Sequence, residues 1–470
     1  MADTYEFHEN DEPLYPKYNS RSSSSKVEGT GSHSVEKLIM KVTIVSRKYI
    51  KPGIPTPENL RTYKISCTDA VIPTMNVAGL LYYPSSDNIE NVKNLEKSLA
   101  QILPQFYPFA GRYIKEKLFV DCSDQGAEYV EAKVDCDLVD IIGSRVQPVE
   151  LNDLLPVDVD AADEATDPIL SIQINKFKCG GVTIATAISH RVIDAFSLGT
   201  FLSAWAKACQ GDNSTEPIIP KFDSPLKFLP VENLGKINRG TIKTRDPTTM
   251  TKRVLFDKKA IANLRARVKH LYEKNDRPPS RVLLVSSFLS EAIMRCDRIK
   301  LGKSRACLFS QEINIRERTV PPLSKYSCGN FASRGLVECS AEETKNLDFE
   351  HLVPLLGNAI EKATLDCSKI LSNYEDARKI LFDAIAGAIL KLHDGNSNSI
   401  WFTDWSKFGF YNNDFGYGKP IWTSCVNPRI SNVVIMMNTK EDDGIEAWVN
   451  LSEKDMSYFK QDDEIKRLTT

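Results

Sequence analysis

Ser189-His190-Arg191-Val192-Ile193-Asp194-Ala195 joins two segments of different periodicity. Ahead of it, Gly181-Val182-Thr183-Ile184-Ala185-Thr186-Ala187-Ile188 reads as a buried strand. Behind it, Leu198, Phe201, Leu202, Trp205 and Cys209 recur at helical spacing on one face. A histidine between a strand and a helix is held by backbone on both sides. Such a position suits a general base, because rigid placement supplies much of a rate enhancement.

Strand and helix signals continue in the flanking sequence, and both halves of the chain mix them similarly. Leu170, Ile172 and Ile174 alternate with Ser171, Gln173 and Asn175, which predicts a half-buried strand. Cys179-Gly180-Gly181 turns that strand into the one that delivers His190. Val42-Thr43-Ile44-Val45-Ser46 reads as an earlier strand, and residues 90–103 read as a helix stopped by Pro104. Beyond a polar, weakly periodic stretch over 210–250, helix signals recur at 259–274, 281–296, 350–369 and 374–393. Strand signals recur at 305–315, 333–339, 398–404, 432–438 and 444–450.

Composition excludes several classes. The 470 residues are 42% hydrophobic and 26% charged, with a net charge of −2, so nothing marks a general binder of nucleic acid or membrane surfaces. At roughly 100–200 residues per domain, the chain has room for two domains and a cleft between them. Eleven scattered cysteines without a Cys-x-x-Cys pair fit free thiols in a reducing compartment, not a disulfide framework or a zinc site. No apolar run approaches the roughly 18 residues of a membrane span. The N-terminus lacks a signal-peptide apolar region, and Glu6, Glu9, Asp11 and Glu12 argue against a transit peptide. The expected location is cytoplasmic. Residues 1–35, serine-rich at Ser20 and Ser22 to Ser25, are expected to be a disordered tail.

His190 carries the chemistry. A neutral imidazole with an ordinary pKa of about 6.5 can take a proton from an alcohol as that alcohol attacks an acyl carbonyl, then return it to the leaving group. Asp194 can orient the imidazole, cap the following helix, or fix the loop through an ion pair. The last two are favoured, because a residue at a helix start need not face back toward His190. Asp414-Phe415-Gly416-Tyr417-Gly418 sets two glycines around an aromatic and reads as a tight loop. The His190-Arg191 and Asp414-Phe415-Gly416 echoes of a protein kinase fail: Val192 stands where a kinase needs Asp, and no Gly-rich phosphate loop precedes them.

Taken together, His190-x-x-x-Asp194 and Asp414-Phe415-Gly416-Tyr417-Gly418 resemble the two signatures of the plant BAHD acyl-CoA-dependent acyltransferases, HxxxD and DFGWG, in order and at similar separation. Leu95 to Leu99 leading into Phe106-Tyr107-Pro108-Phe109-Ala110-Gly111-Arg112, the Asn314-Ile315-Arg316 segment and the Gly329-Asn330 pair are similar to further family segments. Pro55-Thr56-Pro57 and Tyr63-Lys64-Ile65-Ser66 resemble the alkaloid and terpenoid O-acetyltransferase clade. The likeness runs from residue 42 to about 455.

The resemblance implies an α/β fold of two similar chloramphenicol-acetyltransferase-like domains, each a mixed β-sheet flanked by helices, with a solvent channel between them. The domains would be 36–215, carrying His190, and 251–470, carrying the 414–418 loop, joined by a crossover at 216–250. It implies transfer of an acyl group, acetyl foremost and malonyl as the rival, from acyl-CoA to a small-molecule alcohol such as an alkaloid or terpenoid. It further implies no bound cofactor, no metal and a monomer. His190 would be catalytic, Asp194 would pair structurally with Arg316, and the 414–418 loop would support the CoA end of the channel, away from the chemistry. Asn330, Asp404 and Trp405 are candidates for the channel lining, with Asn330 and Trp405 also candidate oxyanion donors. Phosphate-binding candidates are Lys252, Arg253, Lys258, Lys259, Arg265, Arg267, Lys300 and Lys303.

Tyr417 stands where the family has tryptophan, and Asp404 where a small residue precedes tryptophan. Two other readings remain. One is a peptide-synthetase condensation domain, disfavoured by Ser189 where a second histidine is usual. The other is a catalytically silent scaffold that still binds ligand.

Overall fold

A computed structural model describes residues 40–72, 74–85, 90–142, 148–162, 164–211, 216–228, 248–272, 277–383 and 397–469. The expected tail 1–35 lies outside them, as does much of the 216–250 crossover and the second part of the expected 374–393 helix.

Two six-stranded sheets organise the described residues. The first runs, edge to edge, Val42–Ile50, Ala127–Val134, Leu170–Phe177, Val182–Ser189, Asn76–Tyr83 and Trp422–Ser424. Its pairs are antiparallel except Ala127–Val134 with Leu170–Phe177. The second runs Ala332–Cys339, Ala306–Asn314, Ser397–Asp404, Val433–Asn438, Ile445–Ser452 and Thr249–Phe256, with Ser397–Asp404 parallel to both neighbours. Both are mixed sheets, as expected. The short strand Trp422–Ser424 departs from a clean division of the chain at 216–250, because this piece of the C-terminal half completes the N-terminal sheet.

The strand that delivers His190 is buried along all eight residues, Val182–Ser189, as suits a strand covered on both faces. Leu170–Phe177 corrects the half-buried expectation. Ser171, Gln173 and Asn175 are buried too. Gln173 and Asn175 both donate to the Leu154 carbonyl, at 3.1 and 2.9 Å, and Gln173 Nε2 also donates to Asn175 Oδ1 at 2.8 Å, so their amide N–H groups find partners inside the protein.

Alternation along the second sheet separates two cores. Val434, Met436, Ala447 and Val449 join the cluster containing Phe288 and Leu352 of the helices Arg281–Leu301 and Phe349–Asp366. Their neighbours Ile435, Met437 and Trp448 belong to the cluster of the first sheet. One face of the second sheet therefore packs on its own helices, and the other faces the N-terminal half. Trp422 stacks on Trp448 with ring centroids 6.0 Å apart and lies 4.7 Å from the Tyr82 ring. Arg253 sits over Trp422 and pairs with Glu446 through both its Nε and an Nη, at 2.9 and 2.8 Å.

Helix Ala195–Gln210 carries the apolar face expected of it, with Leu198, Phe201, Leu202 and Trp205 buried. It begins at Asp194, whose carboxylate accepts the Ser197 N–H, and ends at Gly211 in the left-handed conformation. Gly199 lets this helix approach the C-terminal half, since a Cβ there would lie 2.5 Å from the Phe408 carbonyl oxygen. Replacing glycine by alanine inside a helix ordinarily gains about 1 kcal/mol. Gly199→Ala is expected instead to lose about 1–3 kcal/mol, read as a lower denaturant midpoint at unchanged slope. A rise in the midpoint would show that the helix and the Phe408 segment separate without cost.

Candidate active site

The strand-to-helix junction is anchored at each step. The His190 N–H donates to Met75 O at 2.8 Å, Val192 N–H to Ser189 O at 3.0 Å, and Asp194 N–H to Gly329 O at 3.1 Å. The His190 carbonyl accepts from the Asn330 side-chain amide at 2.8 Å. His190 is partly accessible, yet its Nδ1 is buried without a hydrogen-bond partner among the described residues. Burial pulls the imidazole pKa below its ordinary value, and the nearby Asp194 charge offsets this only in part.

Asp194 and Arg316 form the centre of the loop. Arg316 reaches both carboxylate oxygens, Nη1 to Oδ2 at 2.9 Å and Nη2 to Oδ1 at 3.0 Å. The carboxylate also accepts the Ser197 N–H and hydroxyl, both at 2.8 Å, and the Phe331 N–H at 3.2 Å. The guanidinium is fully buried and donates further to Ser327 O, Asn314 Oδ1, Ser197 Oγ and Gly329 O. The rings of Phe196 and Phe331 lie 4.6 and 4.7 Å from it. Burial alone would raise the Asp194 pKa, but Arg316 and the Ser197 donors outweigh it and hold the carboxyl below its usual value.

The remaining predicted residues fall in three places. The 414–418 loop sits at the far end of helix Ala195–Gln210, where Gln210 Nε2 donates to Asp414 O at 2.6 Å. At about 1.5 Å per residue, that end is roughly 24 Å along the axis from Asp194. Asp414 Oδ1 accepts the N–H groups of Gly416 and Gly418, both with positive φ, and Phe415 is buried against Trp205 and Tyr83. Tyr417 packs on Tyr83, and its hydroxyl is buried without a hydrogen-bond partner among the described residues.

Asn330 and Trp405 are corrected as oxyanion donors, because their N–H groups are already committed. Asn330 Nδ2 donates to Asp69 and His190, and Trp405 Nε1 to Thr403 Oγ1 at 3.2 Å. Asp404 ends the strand Ser397–Asp404 and accepts the Ser406 N–H at 2.9 Å. Cys328 is buried beside Arg316 and Asp194, and burial pushes its thiol up to about 12, which disfavours a thiolate nucleophile.

Among the phosphate candidates, Arg253, Arg267 and Lys300 pair with acidic side chains, Lys252 is half-buried, and Lys258, Lys259, Arg265 and Lys303 are exposed. Sequence reasoning missed Ser197, Ser327, Asp69 and Ser224, which surround the loop. A signal was present for one of them: Ser66-x-x-Asp69 is a capping-box spacing, and that box forms.

Removing one member of a buried pair leaves the other charge uncompensated. Arg316→Ala is therefore expected to cost about 3–5 kcal/mol, and Arg316→Lys a smaller amount because the charge stays but the two-pronged geometry goes. A carboxyl held low in the folded state stabilises above its unfolded value of about 4 and loses that contribution as pH falls through the folded value. The wild-type advantage in denaturant unfolding should accordingly shrink with acidification. An advantage constant down to strongly acidic pH would show that the ion pair is not its source.

Residues 40–466 match the Transferase family. A malonyltransferase of Salvia splendens, pelargonidin 3-O-(6-caffeoylglucoside) 5-O-(6-O-malonylglucoside) 4'''-malonyltransferase, is 40% identical over 435 residues, 91% of this chain and 99% of its own. Vinorine synthase of Rauvolfia serpentina is 33% identical over 424 residues, 88% of this chain and 95% of its own. A crystal structure of vinorine synthase superimposes with a TM-score of 0.76 at 30% identity, covering 91% of this chain and 98% of that one. A match over nearly the whole chain, on a shared fold, is decisive: the chain belongs to the Transferase family, the BAHD acyltransferases, and is an acyl-transfer enzyme.

Proposed function

We propose that the chain transfers an acetyl group from acetyl-CoA to a hydroxyl of an alkaloid or terpenoid, with His190 as general base. The observation that carries this is the state of His190. Its loop is anchored on both sides, the residue is partly accessible, and burial lowers its pKa, which favours a neutral imidazole ready to accept a proton. With Nδ1 buried, the ring edge carrying Nε2 takes the proton from the acceptor hydroxyl. The oxygen then attacks the thioester carbonyl, and the proton goes on to the departing CoA thiolate. Asp194 takes no proton in this reading, because both its oxygens face Arg316. Its part, with Arg316, is to hold the loop.

The two halves form the walls of a channel in which donor and acceptor meet, and the 414–418 loop braces it at a distance. The chain works as a cytoplasmic monomer with no bound cofactor, and acyl-CoA is a co-substrate. Malonyl transfer is the second reading, favoured by the 40% identity to the Salvia malonyltransferase. Vinorine synthase and stemmadenine O-acetyltransferase of Catharanthus roseus, 32% identical over 435 residues, support acetyl transfer to alkaloid-type acceptors.

Purified protein incubated with acetyl-CoA or malonyl-CoA and pooled alkaloid, terpenoid and glycosylated phenolic alcohols is expected to add one acetyl group to an alkaloid or terpenoid, read by mass. His190→Ala should lower the rate at least about 100-fold. Malonyl addition would select the second reading, and ligand binding without turnover from either donor would favour the silent scaffold.

The pH profile makes an independent demand. Activity rises as His190 loses its proton, and its pKa is lowered, so the acid limb of kcat/KM should have its midpoint below about 6.5. A midpoint above that value would show that another group, or a charged imidazole, sets the rate.

A further inference from the structure

Asp69 is fully buried and, among the described residues, makes no ion pair with a cation. Burial raises the pKa of its carboxyl, and the hydrogen bonds from Ser66 and Asn330 work against that rise. Oδ1 accepts from the Asn330 backbone N–H at 3.0 Å and from Asn330 Nδ2 at 2.8 Å. Oδ2 accepts from the Ser66 hydroxyl at 2.6 Å, the Ser66 N–H at 3.2 Å and the Ser224 hydroxyl at 3.2 Å. Taking a carboxylate out of water costs several kcal/mol even after relaxation. The four-residue helix Cys67–Ala70 does not need that charge, since Ser66 already caps it and a neutral side chain would suffice at position 69.

What a carboxylate does that a neutral amide or hydroxyl does not is accept only. Facing Asp69, Asn330 can present its NH2 group and not its carbonyl. The same Nδ2 donates to the His190 carbonyl at 2.8 Å. Asp69 and the His190 carbonyl, both acceptors, together set which way the Asn330 amide points, and that amide holds the peptide following His190. The short segment around Asp69 holds the other side of the loop as well. Arg191 donates to Ala70 O and Thr74 Oγ1, both at 2.8 Å, and Met75 O receives the His190 N–H.

We propose that Asp69 is a positioning residue for His190, acting through Asn330 to hold the His190 carbonyl and so the direction of the imidazole. The proposal rests on His190 being the base. It assigns Asp69 no contact with substrate.

The test compares Asp69→Asn, Asn330→Ala, the double variant and His190→Ala, with folding checked by circular dichroism and melting temperature. Ester formation is read with the donor and acceptor found in the pooled assay. Asp69→Asn and Asn330→Ala are each expected to lower kcat about 10–100-fold with KM for acyl-CoA within about twofold, since a displacement of about 1 Å can cost that much. Acting through one amide, the two changes should not multiply: the double variant should lose no more than the worse single.

An acceptor-independent readout is the His190 Cε1–H resonance in histidine-labelled protein, assigned by its loss in His190→Ala. It is expected to shift or broaden in Asp69→Asn, while the resonances of His270 and His351 stay in place. Should Asp69→Asn fail to fold, Asn330→Ala and Ser224→Ala carry the test, with kcat losses of about tenfold and about threefold. A folded Asp69→Asn or Asn330→Ala with kcat within twofold and an unmoved His190 resonance would overturn the proposal. So would losses that multiply in the double variant. If His190→Ala itself keeps its activity, the base assignment fails instead, and the two failures are told apart.

Discussion

The buried pairing of Asp194 with Arg316 is the constraint on which the rest of the site depends. Placing a fully buried guanidinium against a mostly buried carboxylate carries a desolvation cost that only good geometry and complete hydrogen bonding can offset. Both are present: a two-pronged contact, Ser197 and Phe331 on the carboxylate, four further acceptors on the guanidinium, and an aromatic ring on either side. Asp194 opens the helix behind His190, and Arg316 lies in the loop between two strands of the other sheet. The pair therefore does more than cap a helix. It fastens the histidine loop of one half to the body of the other, at the place where the proposed chemistry needs both.

Around that pair the environment gives each ionisable group a different state. Asp194 stays charged because Arg316 outweighs burial. The His190 pKa is lowered because burial outweighs the Asp194 charge. Cys328, a few residues from the same centre, stays a thiol because nothing near it outweighs burial enough. Of the three, the proposed reaction uses His190 as its base. The selection is made by solvation and by one cation, not by the identity of the residues alone.

Legibility in the sequence followed the range of the forces involved. His190 and Asp194 were readable because a strand pattern stops and a helix pattern starts on either side of them, and the buried face of Ala195–Gln210 was readable from its spacing. Leu170–Phe177 was misread because its polar positions looked solvent-facing. The Leu154 carbonyl and the Gln173–Asn175 contact take up their amide N–H groups as they are buried. Trp422–Ser424 is three residues long, too short for any period to register, and its place in the first sheet is set by pairing with Asn76–Tyr83. Asn330 and Trp405 were readable as polar groups near the site, but not as groups whose donors are already taken.

Local pattern alone carries the junction at His190, the helix it starts and the tight loop at 414–418, and the ordered motifs carry the acyltransferase family with its α/β fold. These are properties of neighbouring residues, or of residue types in order, and short-range periodicity and backbone preference suffice to express them. Long-range packing sets the closing of Arg316 on Asp194, the joining of one face of the second sheet to the first core, and the burial of Asp69 behind Asn330. Each is a contact between residues far apart in the chain. Its energy comes from excluding water, and no local pattern in the sequence records where water will be excluded.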